Sequence, residues 1–177
     1  MASQPGTLQS DLVTSAQRGD ADALAALYQA HGEAVYRLAY RLLGTREDAE
    51  DVVHDVFVGL PEALRRYEER GALESWLKRV AARVALMRLR QRDRRREVSL
   101  DAGTEQRLRE ASSTEFTGLK EAVDALPDGL RSVLVLKEIE GYSHAEVAAL
   151  LGISEGASRV RLTRAIRGLR RMLGEER

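Results

Sequence analysis

Residues 141–173 read GYSHAEVAALLGISEGASRVRLTRAIRGLRRML. Ser143-His-Ala-Glu146 has the S-x-x-E form of a capping box, in which hydroxyl and carboxylate satisfy the orphan donors of a helix start. A short helix with Val147, Leu150 and Leu151 on its apolar side follows. Gly152 supplies the left-handed conformation of a sharp turn, Ile153 plugs that turn, and Ser154 caps a second helix. The second helix is predicted to bury Ala157, Leu162, Ala165, Ile166, Leu169 and Leu173.

A short helix, a glycine turn and a longer second helix form a helix-turn-helix, whose second helix fits the DNA major groove by its N-terminal turns. The exposed side there is predicted to carry Ser158, Arg159, Arg161, Thr163 and Arg164. Arginine suits both phosphate contact and bidentate contact with guanine. An ordinary hairpin with a solvated arginine face is the plainer reading, and the glycine turn between two caps argues against it.

The rest of the 177 residues is also helical in pattern. Leu24, Leu27, Tyr28, His31, Val35, Leu38 and Leu42 recur at three- and four-residue steps, predicting a helix over 20–43 closed by Gly44. Thr45-Arg-Glu-Asp48 caps the next helix, with Ala49, Val52, Val53, Val56, Phe57 and Leu60 on its apolar face and Asp48, Asp51 and Asp55 in one stripe. Gly59 and Pro61 should interrupt it. Residues 67–71 read as a loop. A third helix is predicted over 72–92, with Leu73, Trp76, Leu77, Val80, Val84 and Met87 buried. Trp76 lies on that stripe and reads as core, not as a stacking platform. Residues 119–126 and 130–140 predict two more helices, Pro127 making a turn or opening the second. The fold class is all-α, with two helical domains (20–96 and 116–177), a flexible tail at 1–19 and a flexible, aperiodic linker at 97–115.

Charge separates these parts although the formal net charge is zero. Residues 45–75 set four arginines against nine acids, a net −5; residues 76–96 set nine basic residues against Asp93, a net +8; residues 155–173 set six arginines against Glu155, a net +5. One acidic and two basic blocks imply two kinds of partner. There is no cysteine, which excludes disulfides and thiolate chemistry. His31, His54 and His144 are scattered, and Asp51-x-x-His54 has no second carboxylate–histidine pair to complete a metal site. No glycine-rich phosphate loop or Gly-x-Ser-x-Gly elbow occurs. The expectation is a cytoplasmic protein that is not an enzyme, has no cofactor or metal and does not insert into membranes.

Leu126-Pro127, Glu140-Gly-Tyr-Ser143 and Leu150-Leu-Gly-Ile-Ser-Glu-Gly156 resemble domain 4 of extracytoplasmic-function sigma factors, and Asp48-Ala-Glu-Asp-Val-Val-His-Asp-Val-Phe57 with Trp76-Leu-Lys-Arg-Val-Ala81 resembles domain 2. The resemblance implies a sigma factor that binds core RNA polymerase and directs initiation at specific promoters. Glu47, Asp48, Glu50, Asp51, Val52, Asp55 and Val56, with Phe57, would meet the polymerase β′ clamp. The loop 67–74 would capture an unstacked base of the −10 element, with Tyr67, Arg70, Lys78, Arg79, Arg83 and Arg90 holding the strands. Ser158, Arg159, Val160, Arg161, Thr163 and Arg164 would read the −35 element, and domain 4 would touch the β flap. An anti-sigma factor is a further implied partner. The chain departs from the family pattern at Arg83 and Met87, where Asn and Asp are usual, and at Val160 and Thr163, which replace polar or larger residues. A homodimeric helix-turn-helix regulator acting without polymerase is the alternative. It would need a dimer seam or ligand pocket where this chain has an acidic helix followed by a basic one. A helical adaptor or an anti-sigma factor would not explain the arginine-rich helix.

Overall fold

The structure is a computed structural model that describes residues 5–68, 72–95, 106–108, 111, 116 and 118–174, with the backbone alone for 5–9 and 93–95. The described residues are helical, without strands. Contacts divide the chain into two compact units, residues 1–40 with 45–85 and residues 41–44 with 86–177.

The first unit is built from α1 (Pro5–Gln17), α2 (Ala21–Leu43) up to Tyr40, α3 (Arg46–Val58), α4 (Leu60–Leu64) and α5 (Leu73–Arg95) up to Ala85, while the last residues of α2 and of α5 fall in the second unit. α1 lies where a flexible tail was expected. Val13 and Ala16 are buried, and the Gln17 side-chain amide donates to the Leu64 carbonyl at 2.9 Å. A single buried turn is too short a periodic signal to stand out among the polar residues around it.

α2 ends at Gly44, whose φ of +81° is the left-handed exit expected there. Thr45 caps α3, its hydroxyl accepting from the Asp48 N–H at 3.3 Å. Ala49, Val52, Val53 and Val56 are buried beneath it. The helix breaks at Gly59, and Pro61 sits in the first turn of α4, where its missing N–H costs nothing. In α5 the buried stripe is Leu73, Leu77, Ala81, Ala82 and Ala85. This corrects the expected stripe: Val80 and Val84 are only half-buried and Met87 is 52% exposed. Alanines let α5 approach its neighbours closely, an arrangement that a search for large apolar residues passes over. Each fully buried leucine here, such as Leu27, Leu38 or Leu77, contributes about 1.5–3 kcal/mol.

The second unit contains α6 (Leu119–Ala125), α7 (Asp128–Leu134), a π-helical turn (Val135–Ile139), α8 (His144–Leu151) and α9 (Glu155–Met172). Pro127 opens α7. The π turn, where an uninterrupted α-helix was expected, carries the Glu140 N–H to the Val135 carbonyl at 3.0 Å. The chain leaves through Gly141 at φ +76°, and the ring of Tyr142 is buried. The core gathers Ala122, Leu126, Leu130, Leu134, Ala165, Leu169 and Met172. Leu108 also belongs to it, so the expected linker is anchored at that point. Gly168 makes room: a Cβ there would lie 2.7 Å from Leu108 Cδ1. The rest of the expected linker, 97–105, 109–110 and 112–115, lies outside the described residues. The buried Arg131 donates to Asp128 Oδ1 at 2.6 Å and to the carbonyls of Asp124 and Leu126 at 3.1 and 3.2 Å. It thereby closes the end of α6, whose carbonyls lack helical partners.

Candidate nucleic-acid interface

The turn between α8 and α9 forms as its residue types require. Ser143 accepts from the Glu146 N–H at 3.2 Å while the Glu146 carboxylate accepts from the Ser143 N–H at 2.9 Å, completing the capping box. Gly152 has φ +68°, and its N–H donates to the Ala148 carbonyl. The Ser154 hydroxyl accepts from the Ala157 N–H at 3.0 Å.

On α9 the outward face is Arg159, Val160, Thr163, Arg164 and Arg167. Arg159 pairs with Glu155 one turn earlier, and the Thr163 hydroxyl donates to the Arg159 carbonyl at 3.1 Å. Two of the expected reading residues are elsewhere. Ser158 is fully buried, its hydroxyl 2.9 Å from His144 Nδ1 on α8. Arg161 is half-buried and leans over α7, its Nη1 3.7 Å from where a Cβ on Gly129 would stand. The reason is helical phase: both share the stripe of Ala165, Gly168, Leu169 and Met172. That stripe is displaced from the expected one, of which Ala157, Leu162, Ile166 and Leu173 are only half-buried.

In the first unit, α3 exposes Glu47, Glu50, Asp51 and Asp55, with Asp48 half-buried and accepting from the Thr45 hydroxyl at 2.7 Å. Val52 and Val56, expected to share a partner contact, are instead 0% and 3% exposed and belong to the core. Phe57 is half-buried, its ring edge-on to Tyr28 at 5.0 Å.

Further along, Arg66, Tyr67, Glu68, Ala72, Ser75, Trp76 and Arg79 line a cavity of about 410 Å³. That lies within the roughly 300–1,000 Å³ of small-ligand sites. The Tyr67 and Trp76 rings sit 4.9 Å apart, tilted by 48°. Trp76, read from its spacing as core, is only half-buried and forms a wall of this cavity, so the spacing misassigned it. Tyr67 presents little surface of its own at 9% exposure. Arg79 and Arg83 are exposed, Lys78 is half-buried and pairs with Glu74 at 3.3 Å, and Arg90 is exposed. Arg70 lies outside the described residues. An aromatic cavity rimmed by arginines offers stacking and electrostatic attraction together, the two forces that hold single-stranded nucleic acid. The sequence reading missed Arg66 and Ser75 as lining residues, since neither belongs to a periodic stripe.

Among the described residues no group of three or more metal-binding side chains assembles, and no helix is long and apolar enough to cross a membrane. His31 is held below its ordinary pKa by burial, an effect that the charge of Glu74 opposes.

Comparison with known proteins agrees with this arrangement. The family model "Sigma-70 region 2" matches residues 27–95, and "Sigma-70, region 4" matches residues 117–169. The chain is 34% identical over 157 residues to the ECF RNA polymerase sigma factor SigE of Mycolicibacterium smegmatis, covering 84% of this chain and 61% of SigE. It is 32% identical over 164 residues to the RNA polymerase sigma factor CarQ of Myxococcus xanthus, covering 89% of this chain and 92% of CarQ. The solved structure of CnrH in complex with the cytosolic domain of CnrY matches with a TM-score of 0.56 and 29% identity, over 94% of this chain and 97% of CnrH. With both sigma regions present in order, and the ECF RNA polymerase sigma factor SigD of Mycobacterium bovis 34% identical over 90% of this chain and 81% of SigD, this chain belongs to the ECF family of RNA polymerase sigma factors.

Proposed function

We propose that the chain is a non-catalytic, cytoplasmic initiation factor that binds core RNA polymerase and reads a promoter through two separate surfaces. The observation that carries this is the union, in one chain, of an exposed acidic α3 and an exposed arginine face on the second helix of a helix-turn-helix. Opposite charges cannot serve one polyanion, so α3 is assigned to a protein partner with a basic surface and α9 to duplex DNA. Glu47, Glu50, Asp51 and Asp55 meet the polymerase β′ clamp. Arg159 and Arg164 read the −35 element, and domain 4 also meets the β flap. The cavity walled by Tyr67 and Trp76 holds an unstacked −10 base, while Arg79 and Arg83 attract the strand's phosphates. An anti-sigma protein is a further partner. The similarity to CnrH, solved with the cytosolic domain of CnrY, supports this.

In-vitro transcription with core polymerase tests the proposal. Core plus this protein should start transcription at discrete promoters that core alone ignores. No stimulation, with tight binding of the free protein to palindromic duplex as a homodimer, would overturn it in favour of a regulator acting without polymerase.

A further inference from the structure

Resting on the assignment of α9 to duplex DNA, one residue on its outward face can be given a specific ligand. Val160 is 51% exposed at the sixth position of α9, within the turns that a helix-turn-helix presents to base edges. A lone exposed apolar residue is ordinary on a surface. This one stands among arginines: Arg159 beside it and Arg164 one turn on, both exposed. A β-branched residue also loses side-chain freedom in a helix, a loss that a side chain 51% exposed offsets less than a buried one would. Its neighbour Thr163 turns its hydroxyl back onto the Arg159 carbonyl at 3.1 Å, so the donor of that polar handle is occupied within the helix. The patch between the arginines is therefore apolar at Val160 and has a committed hydroxyl at Thr163. In the major groove one base carries an apolar group, the 5-methyl of thymine, and apolar side chains recognise it by contact.

We propose that Val160 is a specificity-determining residue that selects thymine at one position of the duplex element by packing against its 5-methyl group. The flanking arginines bind phosphates or guanine and set the register in which this contact occurs.

The test uses the full chain with core polymerase and a promoter library randomised across the −35 region, with transcripts sequenced. The wild-type protein should enrich thymine at one position on one strand. Val160→Ser should lose that enrichment and the shorter Val160→Ala should weaken it, both keeping the base preferences elsewhere, which also shows that both variants fold and initiate. Deoxyuridine, which lacks only the methyl, should lower wild-type activity at that position about fourfold and leave Val160→Ser unchanged. An unaltered base profile in both variants, or equal wild-type activity on thymine and deoxyuridine, would overturn the assignment. Absence of transcription from the whole library would instead overturn the initiation reading, and this assignment with it.

Discussion

α3 and α9 begin alike and differ in what they bury. Each starts at a hydroxyl cap, Thr45 or Ser154, and each turns a charged face outward, acidic on α3 and basic on α9. Beneath α3 lie only aliphatic groups: Ala49, Val52, Val53 and Val56. Beneath α9 lies Ser158, bonded to His144 of α8. Beside its own apolar stripe, α9 thus carries a directional hydrogen bond of 2.9 Å to a buried hydroxyl, which the aliphatic packing beneath α3 lacks. A charged face meeting a protein surface needs the right sign. On the assignment of α9 proposed above, a helix reading base edges also needs its register, a constraint that the Ser158–His144 pair would supply.

Reversing the sign of the α3 face carries the largest expected effect. Asp51→Lys with Asp55→Lys should weaken binding to core polymerase more than about a hundredfold, because like charges facing each other cost several kcal/mol. Both residues are exposed, so helical content and melting should be retained. Quantitative pull-down with core, beside circular dichroism of the free variant, checks this. Next in size, Leu108→Ala should destabilise the second unit by about 2 kcal/mol, since the leucine fills the space left by Gly168. Chemical denaturation followed by helical signal reads it.

On the α9 side, Arg164→Ala should cost about 1–3 kcal/mol of −35 recognition if it makes a bidentate base contact, with core binding unchanged. Promoter titration of the assembled holoenzyme measures it. Ser158→Ala is a smaller perturbation, about 0.5–1.5 kcal/mol in stability, because water reaches the half-exposed His144 in place of the hydroxyl. Its telling effect is broadened base preference at the −35 element with overall core affinity intact. An unchanged preference would remove the orienting role given to the His144–Ser158 pair.

The smallest effect is a pH dependence in the first unit. Burial lowers the His31 pKa in the fold, so below about pH 6.5 the unfolded chain takes up the proton first. Stability should therefore fall as pH drops through that value and level off below the folded pKa. His31→Gln should flatten this part of the pH–stability curve, read from melting at a series of pH values.

Much of the molecule was legible because local chemistry and tertiary position agree. Ser143, Glu146, Gly152 and Ser154 each occupy the position their side chains favour, so the helix-turn-helix could be read residue by residue. Thr45, Gly59 and Pro61 delimit α3 in the same way. The failures share another cause. Ser158, Arg161 and Trp76 were assigned by residue type and approximate phase, yet their places depend on which stripe faces the core. On α9 that stripe runs through Gly168 and Met172, and on α5 through three alanines, small residues that carry little hydrophobic signal. Leu108 and α1 escaped because one buried turn among polar neighbours has no period to detect. The cavity wall of Tyr67 and Trp76 joins residues from separate stretches of the chain, a proximity that helical spacing does not encode.

The most direct measurement is the composition and mass of the complex formed when this protein, core polymerase and a labelled promoter duplex are mixed at equal concentration. The expected result is one assembly holding a single copy of each, lost on Asp51→Lys/Asp55→Lys and with promoter alone released by Arg164→Ala. Two copies of this chain on the duplex, with core polymerase left out, would contradict it.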